Sequence, residues 1–164
     1  MNLEKFNHNF IFICDVDGVL TTGHFLYSSE GKVMKIFGPD DNDGLRELSS
    51  FMDIRFVTSD KRGFEISKAR VVRDMGYNLD LVSSRERPSW ILKNYPNKKV
   101  IYMGDGIFDH LVFNVVNYSI APSNSCKSAK ESANYITSSK GGDRAVAEAC
   151  IHIINNFFLK SISE

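Results

Sequence analysis

The sequence predicts an α/β protein, a three-layer sandwich in which helices cover both faces of a central parallel sheet. Short apolar runs alternate with segments of helical periodicity over most of the 164 residues, a pattern typical of parallel sheets. Three of the apolar runs end in polar residues: Asp15 with Asp17, Thr58 with Ser59, and Asp105. Ligands of such sheets bind at the carboxyl ends of the strands, so these residues are the first candidates for a site.

The first half of the chain is predicted to form two core strands, a hairpin and two helices. In order, they are a strand at 10–14 (FIFIC), a hairpin at 23–37, a helix that begins near Asp43, a strand at 54–59 and a helix at 64–76. The hairpin follows from alternating side chains on both sides of a Ser-Ser-Glu-Gly turn. Gly76 is a typical C-terminal residue for the second helix.

The second half continues the alternation of strands and helices. Strands are predicted at 79–84, 98–105, 118–123 and 134–139, and helices at 87–96, 109–116, 126–133 and 143–159. Pro88 falls in the first turn of its helix, where its missing N–H is tolerated. The last helix is strongly amphipathic, which indicates that one of its faces packs on the sheet.

Composition excludes several classes of function. Twenty basic residues balance twenty acidic ones, which gives no electrostatic reason to expect nucleic acid or an anionic membrane as a partner. No apolar run approaches the roughly 20 residues that span a bilayer, and MNLEKFNHNF does not resemble a signal peptide. Cys14, Cys126 and Cys150 lack the spacing of a metal site or a dithiol. We therefore expect a cytoplasmic protein with a core thiol at Cys14.

Four aspartates are expected to meet at one edge of the sheet. Asp15 and Asp17 follow the first strand, and GDGIFD places Asp105 and Asp109 after another. Taken alone, a pair of aspartates could equally well lie in a loop and cap a helix. Several carboxylates that converge form a hard oxygen site, and such a site suits Mg²⁺.

A magnesium site of this kind usually also meets a phosphate. Thr58 and Ser59 offer hydroxyls at the end of the neighbouring strand. Backbone N–H groups around Gly18 offer further donors, since glycine lets the backbone approach a ligand closely. The residues thus predict a site for a phosphorylated small molecule.

Three short motifs resemble those of the haloacid dehalogenase superfamily of phosphotransferases: DVDGVLT, the strand that ends in Thr58, and GDGIFD. Two longer stretches, 15–48 and 121–148, resemble the 3-deoxy-D-manno-octulosonate 8-phosphate phosphatase branch of that superfamily. The resemblance extends from about residue 10 to 158. It implies a Rossmann-like fold with a protruding β-hairpin and a single domain over 1–164, without a cap domain.

The resemblance also implies a role for each motif residue. Asp15 would be the nucleophile and a magnesium ligand. Asp17 would be the general acid and base, and its backbone carbonyl would bind the metal. Asp105 would bind the metal, Asp109 would support the metal's waters, and Thr58 would bind phosphoryl oxygens.

One departure from the family concerns the cation that neutralises the phosphoryl group. The superfamily has a lysine there, whereas SSRERPSW places Arg87 at the matching position. Arginine keeps the charge and can bind phosphate through two donors. The alternative is that Arg87 is a surface residue before Pro88, with Arg85 or Lys61 taking the role.

A second departure concerns the substrate. Ser59 and Asp60 stand where the octulosonate phosphatases usually have glycine and arginine. A carboxylate substrate would be repelled by Asp60 unless Lys61 or Arg62 compensates. A nine-carbon nonulosonate 9-phosphate therefore fits as well as the eight-carbon sugar phosphate.

Two further positions differ from the family. Gly106 stands where another aspartate is common, which should tune the metal site without abolishing it. Arg144 stands where relatives tend to have glycine. It either touches the substrate or faces solvent.

The absence of a cap domain predicts an oligomer. An open site is poorly shielded from water, and the related capless phosphatases form tetramers that close it. The hairpin carries Phe25, Tyr27, Val33 and Ile36, and exposed apolar faces usually mark interfaces. We expect a homotetramer; the alternative is a hairpin that packs on its own core.

Two functions remain after these observations. The first is a Mg²⁺-dependent phosphatase of a small acidic keto-sugar phosphate, used in surface-polysaccharide (lipopolysaccharide) synthesis. The second is a weakly active or inactive phosphatase-like module with an oligomerisation or regulatory role. A phospho-receiver domain is excluded, because the acidic pair comes with the hairpin and with a second acidic turn at Asp105 and Asp109.

Overall fold

The computed structural model describes residues 6–159. The five residues at each end lie outside the described residues, and they include the first half of the segment MNLEKFNHNF. The strands are β1 (Phe10–Asp15), β2 (Thr21–Ser28), β3 (Gly31–Phe37), β4 (Asp53–Thr58), β5 (Asn78–Leu81), β6 (Lys99–Met103), β7 (Tyr118–Ala121) and β8 (Tyr135–Ile136).

Within the described residues, five helices connect these strands and a sixth follows β8. They are α1 (Asp41–Ser49), α2 (Phe64–Lys68), α3 (Arg87–Asn94), α4 (Asp109–Phe113), α5 (Lys127–Ser132) and α6 (Ala145–Ile153). Wider π-type turns continue α2 through Ala69–Asp74 and α6 through Ile154–Leu159. Within the described residues, no helix is long and apolar enough to cross a membrane.

The central sheet has six parallel strands in the order β5-β4-β1-β6-β7-β8. The register pairs Asp15 of β1 with Val57 of β4, and Cys14 of β1 with Met103 of β6. The residues that end these three strands therefore meet at one edge of the sheet. This confirms the predicted α/β class and the convergence of the strand ends.

Two apolar layers hold the helices against the sheet. Phe12 and Cys14 of β1 belong to the layer that packs under α1 and α6. Ile11 and Ile13 belong to the layer under α3, α4 and α5. The layers differ because successive strand residues point to opposite faces. Cys14 is fully buried, as predicted for a core thiol.

Helix α1 begins at Asp41, two residues before the predicted start near Asp43. Asp40 precedes it in the left-handed region, with φ of 64°. The buried Asp41 carboxylate accepts a hydrogen bond of 2.9 Å from the backbone N–H of Ala147 on α6. The predicted start near Asp43 is thus confirmed to within two residues. The contact of Asp41 with α6 was not predicted, because local patterns do not reveal a partner distant in sequence.

The strands β2 and β3 form a separate antiparallel hairpin. Its predicted apolar residues are exposed: Phe25, Tyr27, Val33 and Ile36 have relative exposures between 41% and 59%. The alternative, a hairpin packed on its own core, is wrong. Between β1 and β4 the chain forms only a loop, this hairpin and α1, so no cap domain is inserted there.

Candidate active site

A pocket of about 350 Å³ opens at the carboxyl edge of the sheet. It is lined by Asp15, Asp17, Gly23, Phe25, Ser59, Ser84, Asp105, Gly106, Ile107, Phe108 and Asp109. Its floor is acidic, whereas Phe25, Ile107 and Phe108 add apolar surface. The topology therefore brings together all four aspartates that the sequence analysis singled out.

The turn after β1 brings Asp15 and Asp105 close together. Gly18 has φ of +85°, a conformation that suits glycine. A Cβ atom at Gly18 would also overlap the carboxylate of Asp105. The Asp15 side chain accepts a 2.7 Å hydrogen bond from the N–H of Val16, which orients it at the end of the strand. Glycine at position 18 is therefore required by both the turn and the neighbouring acid.

Arg87 lies in the floor of the site and is only 2% exposed. Its two terminal nitrogens donate to the two oxygens of Asp15, at 2.6 Å from Nη1 to Oδ2 and 3.1 Å from Nη2 to Oδ1. Nη1 also lies 3.4 Å from Oδ1 of Asp109. The alternative of a surface arginine is wrong, because the start of α3 directs this side chain inward. Among the described residues, its Nε has no partner.

Tyr102 is a site residue that the sequence analysis missed. Its fully buried hydroxyl donates to Oδ1 of Asp109 at 2.8 Å and accepts from Nη1 of Arg87 at 2.7 Å. Burial is the main cause that raises the pKa of Tyr102 well above its ordinary value. The phenol therefore stays neutral and links Arg87 to Asp109. Its only sequence signal is one hydroxyl in an otherwise apolar strand.

Asp15, Asp105 and Asp109 form a cluster that could hold a metal ion. Each can offer a carboxylate oxygen such that the three lie within 4.8 Å of one another. Burial, followed by the charges of Asp15 and Asp109, raises the pKa of Asp105 to about 8. Burial also raises the pKa of Asp15 to about 6, against the opposing charge of Arg87. A divalent cation would offset this repulsion, and hard oxygen donors suit Mg²⁺.

Gly106, which stands where relatives commonly have an aspartate, is compatible with this cluster. The N–H of Gly106 donates to Oδ2 of Asp109 at 2.8 Å. Asp109 is therefore held from both sides, by Gly106 on one oxygen and by Tyr102 on the other. These two hydrogen bonds fix the Asp109 carboxylate in position, where it can support the acidic cluster.

Lys35 is the second site residue that the sequence analysis missed. Its side chain is fully buried, and Nζ lies 2.7 Å from Oδ1 of Asp17 and 2.9 Å from Oδ2 of Asp60. It also donates to Oγ of Ser67 at 2.8 Å. Thr58 donates to Oδ2 of Asp17 at 3.0 Å. Asp17 is thus held between a lysine of the hairpin and a hydroxyl of the sheet.

Asp60 is neutralised by the hairpin, and not by Lys61 or Arg62 as the sequence analysis proposed. Nζ of Lys32 lies 2.5 Å from Oδ2 of Asp60, and Lys35 binds the same oxygen. Although burial raises it, these two hydrogen bonds lower the pKa of Asp60 below its ordinary value. The expected compensation exists, but it comes from 25 or more positions earlier in the chain. We call Lys32, Lys35 and Asp60 the hairpin ion cluster.

The two predicted hydroxyl donors lie at different depths. Thr58 is fully buried, and its hydroxyl accepts from the N–H of Asp60 while it donates to Asp17. Ser59 lines the pocket and accepts a 3.1 Å hydrogen bond from Ser84. Ser59 is therefore the more accessible of the two.

Arg144 does not line the pocket. It is ion-paired with Asp40 at 2.6 Å, and its side chain is 55% exposed. The preceding glycines do reach the site: a Cβ atom at Gly141 or Gly142 would overlap the backbone of Gly18 or Thr22. Of the two alternatives for Arg144, the structure favours the solvent-facing one.

Comparisons with known proteins agree with this geometry. Residues 90–149 match the family model of haloacid dehalogenase-like hydrolases. The 3-deoxy-D-manno-octulosonate 8-phosphate phosphatase KdsC of Yersinia pestis is 29% identical over 150 residues, 85% of this chain and 76% of that protein. A crystal structure of the phosphatase from Yersinia pestis, 28% identical, superposes with a TM-score of 0.75 and covers 88% of this chain and 80% of that one.

A further similar structure carries ligands. It is the 3-deoxy-D-manno-octulosonate 8-phosphate phosphatase of Moraxella catarrhalis in complex with magnesium, phosphate and KDO. It is 26% identical, with a TM-score of 0.70, and the match covers 93% of this chain and 91% of that one.

The fold, the acidic site and these comparisons show that the chain resembles the haloacid dehalogenase-like hydrolases. Within that superfamily it is similar to the capless 3-deoxy-D-manno-octulosonate 8-phosphate phosphatases, and it is accordingly a phosphoric monoester hydrolase.

Proposed function

We propose that this chain is a Mg²⁺-dependent phosphatase that hydrolyses a small acidic keto-sugar phosphate through an aspartyl-phosphate on Asp15. The proposed substrates are 3-deoxy-D-manno-octulosonate 8-phosphate or a nonulosonate 9-phosphate. The proposed enzyme is a single domain over residues 1–164 that acts in the cytoplasm, in surface-polysaccharide synthesis.

One observation carries the proposal more than any other. Arg87 forms a two-donor ion pair with Asp15 at the same sheet edge where Asp105 and Asp109 gather. A cation next to a strand-end aspartate and an acidic cluster is the arrangement that phosphoryl transfer requires, because charge must be neutralised on the transferring group.

The first chemical step transfers the phosphoryl group to the protein. A carboxylate oxygen of Asp15 forms a bond to phosphorus while the bond from phosphorus to the sugar oxygen breaks. Asp17 donates its proton to the leaving alkoxide, which departs as the sugar alcohol. Lys35 and Thr58 position the Asp17 carboxylate from two sides for this transfer.

The second step regenerates the enzyme. Asp17 takes a proton from a water molecule, whose oxygen attacks phosphorus and releases inorganic phosphate from Asp15. Arg87 balances the charge of Asp15 in both steps, since its guanidinium is permanently protonated. Mg²⁺, held by Asp15, Asp105 and the Asp17 carbonyl with support from Asp109, would supply further positive charge beside the phosphoryl oxygens.

The oligomer belongs to the same proposal. The pocket is open, and the hairpin beside it exposes apolar residues on both strands. A homotetramer in which hairpins pack against neighbouring subunits would cover these residues and shield the site from water.

One observation favours the second candidate, a weakly active or inactive phosphatase-like module. The Arg87 fork binds both oxygens of Asp15, and an arginine is bulkier than the usual lysine. Such a clamp would suit a phosphatase-like module with weak or no activity, which serves as an oligomerisation or regulatory partner.

Phosphate release distinguishes the two candidates. The full chain is assayed with and without Mg²⁺ on a panel of sugar phosphates that includes eight- and nine-carbon keto-acid phosphates. We expect Mg²⁺-dependent turnover of one member, reduced at least about a thousandfold by Asp15→Asn. A folded protein that binds Mg²⁺ but turns over no panel member would contradict the phosphatase proposal and favour the module.

A further inference from the structure

The pocket contains four carboxylates, and the buried cations beside it are already bound to acids. Arg87 is paired with Asp15 and Asp109. Lys35 is paired with Asp17 and Asp60, and Lys32 with Asp60. A substrate with a carboxylate of its own therefore needs another cation at the pocket rim to offset repulsion by the floor.

Arg85 is an arginine at that rim whose charge is not bound to an acid. It is exposed, and it follows Ser84, which lines the pocket. Its guanidinium carbon lies 4.1 Å from the ring centroid of Phe108, which also lines the pocket. Within the part of the chain that the structure describes, no carboxylate lies within ion-pairing distance of Arg85.

The stacking on Phe108 preorganises this arginine. A guanidinium held over an aromatic face loses rotational freedom yet keeps N–H donors available for a carboxylate. Two parallel N–H donors match the two oxygens of a carboxylate. A lysine at this position would offer the charge without that geometry.

We propose that Arg85, held on Phe108, is the specificity residue that binds the carboxylate of the acidic sugar. The inference rests on the proposed phosphatase function and deepens it. It also accounts for the acid at position 60, where the related phosphatases usually have an arginine. Asp60 belongs to the hairpin ion cluster, so the cation for the substrate comes from a different loop of the same sheet edge.

The test compares Arg85→Gln and Arg85→Lys with Arg62→Gln, which removes the same charge from another exposed loop at this edge. Each protein is assayed with Mg²⁺ on the acidic substrate and on a neutral hexose 6-phosphate. For Arg85→Gln we expect the KM of the acidic substrate to rise about tenfold or more. In Arg85→Gln, the ratio of kcat/KM for the acidic substrate to kcat/KM for the neutral one should fall by the same factor. In Arg85→Lys, this ratio should lie between those of the wild type and Arg85→Gln. In Arg62→Gln, it should equal that of the wild type.

Calorimetric binding of the free sugar acid tests the role of Arg85 separately from the proposed phosphatase function. A dissociation constant that rises about tenfold in Arg85→Gln supports the carboxylate contact whether or not the chain turns over. Equal loss on acidic and neutral substrates, an unchanged KM in Arg85→Gln, or a larger effect in Arg62→Gln would overturn the role of Arg85. A wild type that hydrolyses no phosphate monoester would instead overturn the proposed function.

Discussion

At the residue scale, the exchange of lysine for arginine at position 87 has a measurable consequence. Arg87→Lys keeps the charge but loses one arm of the fork to Asp15 and the contact with Tyr102. We expect kcat to fall by about ten- to a hundredfold, since Asp15, the proposed nucleophile, is less well oriented. Arg87→Met leaves the buried acids unpaired and should lower kcat by about a thousandfold and reduce stability by about 3 kcal/mol or more.

Steady-state kinetics and thermal melts measure both effects. Arg46→Lys, an exposed arginine of α1, is the matched control and should behave as the wild type. An Arg87→Lys variant with higher activity than the wild type would show that the arginine restrains catalysis, as the module interpretation requires.

Lys35 gives a second prediction at this scale. Lys35→Met removes the cation from both Asp17 and Asp60, whereas Lys32→Met removes it from Asp60 alone. Both side chains are buried, at 0% and 4% exposed, so both variants should lose stability. We expect kcat to fall about tenfold or more only in Lys35→Met, because only Lys35 positions Asp17.

The comparison of kcat with the melting temperature isolates this role. If Lys32→Met and Lys35→Met lose kcat equally, Lys35 acts only through the stability of the hairpin. Rescue of kcat in Lys35→Arg would support a positioning role, since that variant restores a cation.

At the element scale, Asp41 couples α1 to α6. Burial raises the pKa of Asp41 to about 6, although hydrogen bonds from Ala147 and Val146 lower it. Its folded pKa therefore lies above the ordinary value of 3.8. The stabilisation from this group is complete below about pH 3.8 and is lost as the pH rises through about 6.

Asp41→Asn keeps an oxygen that accepts from Ala147 and removes the ionisation. We expect the variant to gain stability relative to the wild type between pH 5 and pH 7.5, by no more than about 3 kcal/mol. Chemical denaturation across this pH range measures the difference, and Asp43→Asn on the exposed side of α1 is the control. A constant difference across the range would rule out titration of Asp41 as its source.

At the scale of the whole molecule, the hairpin has an inverted pattern. Lys35 is buried against Asp17 and Asp60, whereas its neighbours Met34 and Ile36 are 56% and 47% exposed. The face that turns to the subunit is charged, and apolar side chains face outward. Such an arrangement indicates a further surface that covers the outer side chains.

We expect Met34→Lys combined with Tyr27→Lys to dissociate the proposed tetramer, because each would place a charge in its apolar interface. Light scattering after size-exclusion chromatography gives the mass directly. Leu92→Lys on α3, where the side chain is 54% exposed, is the matched control and should leave the mass unchanged. A wild type that is monomeric at assay concentrations would contradict the proposed tetramer.

Much of the fold was predictable from local patterns. Asp15, Thr58 and Asp105 lie at or just after strand ends that follow from apolar runs, and their convergence follows from the rules of parallel sheets. The hydrogen bond from the N–H of Ala147 to Asp41 was not predictable in the same way. Local propensity does not report a partner more than 100 residues away.

The sequence by itself determined the α/β class and the four aspartates, because strand periodicity and motif spacing are local properties. The family resemblance pointed to Arg87 as the cation, and only the structure excluded a surface position for it. Only the tertiary structure decided that Lys32 and Lys35 neutralise Asp60, that Tyr102 joins Arg87 to Asp109, and that Arg85 stacks on Phe108. Those contacts join segments far apart in the chain. Which charges meet depends on how strands and loops are ordered in space, and that order emerges only when the sheet is assembled.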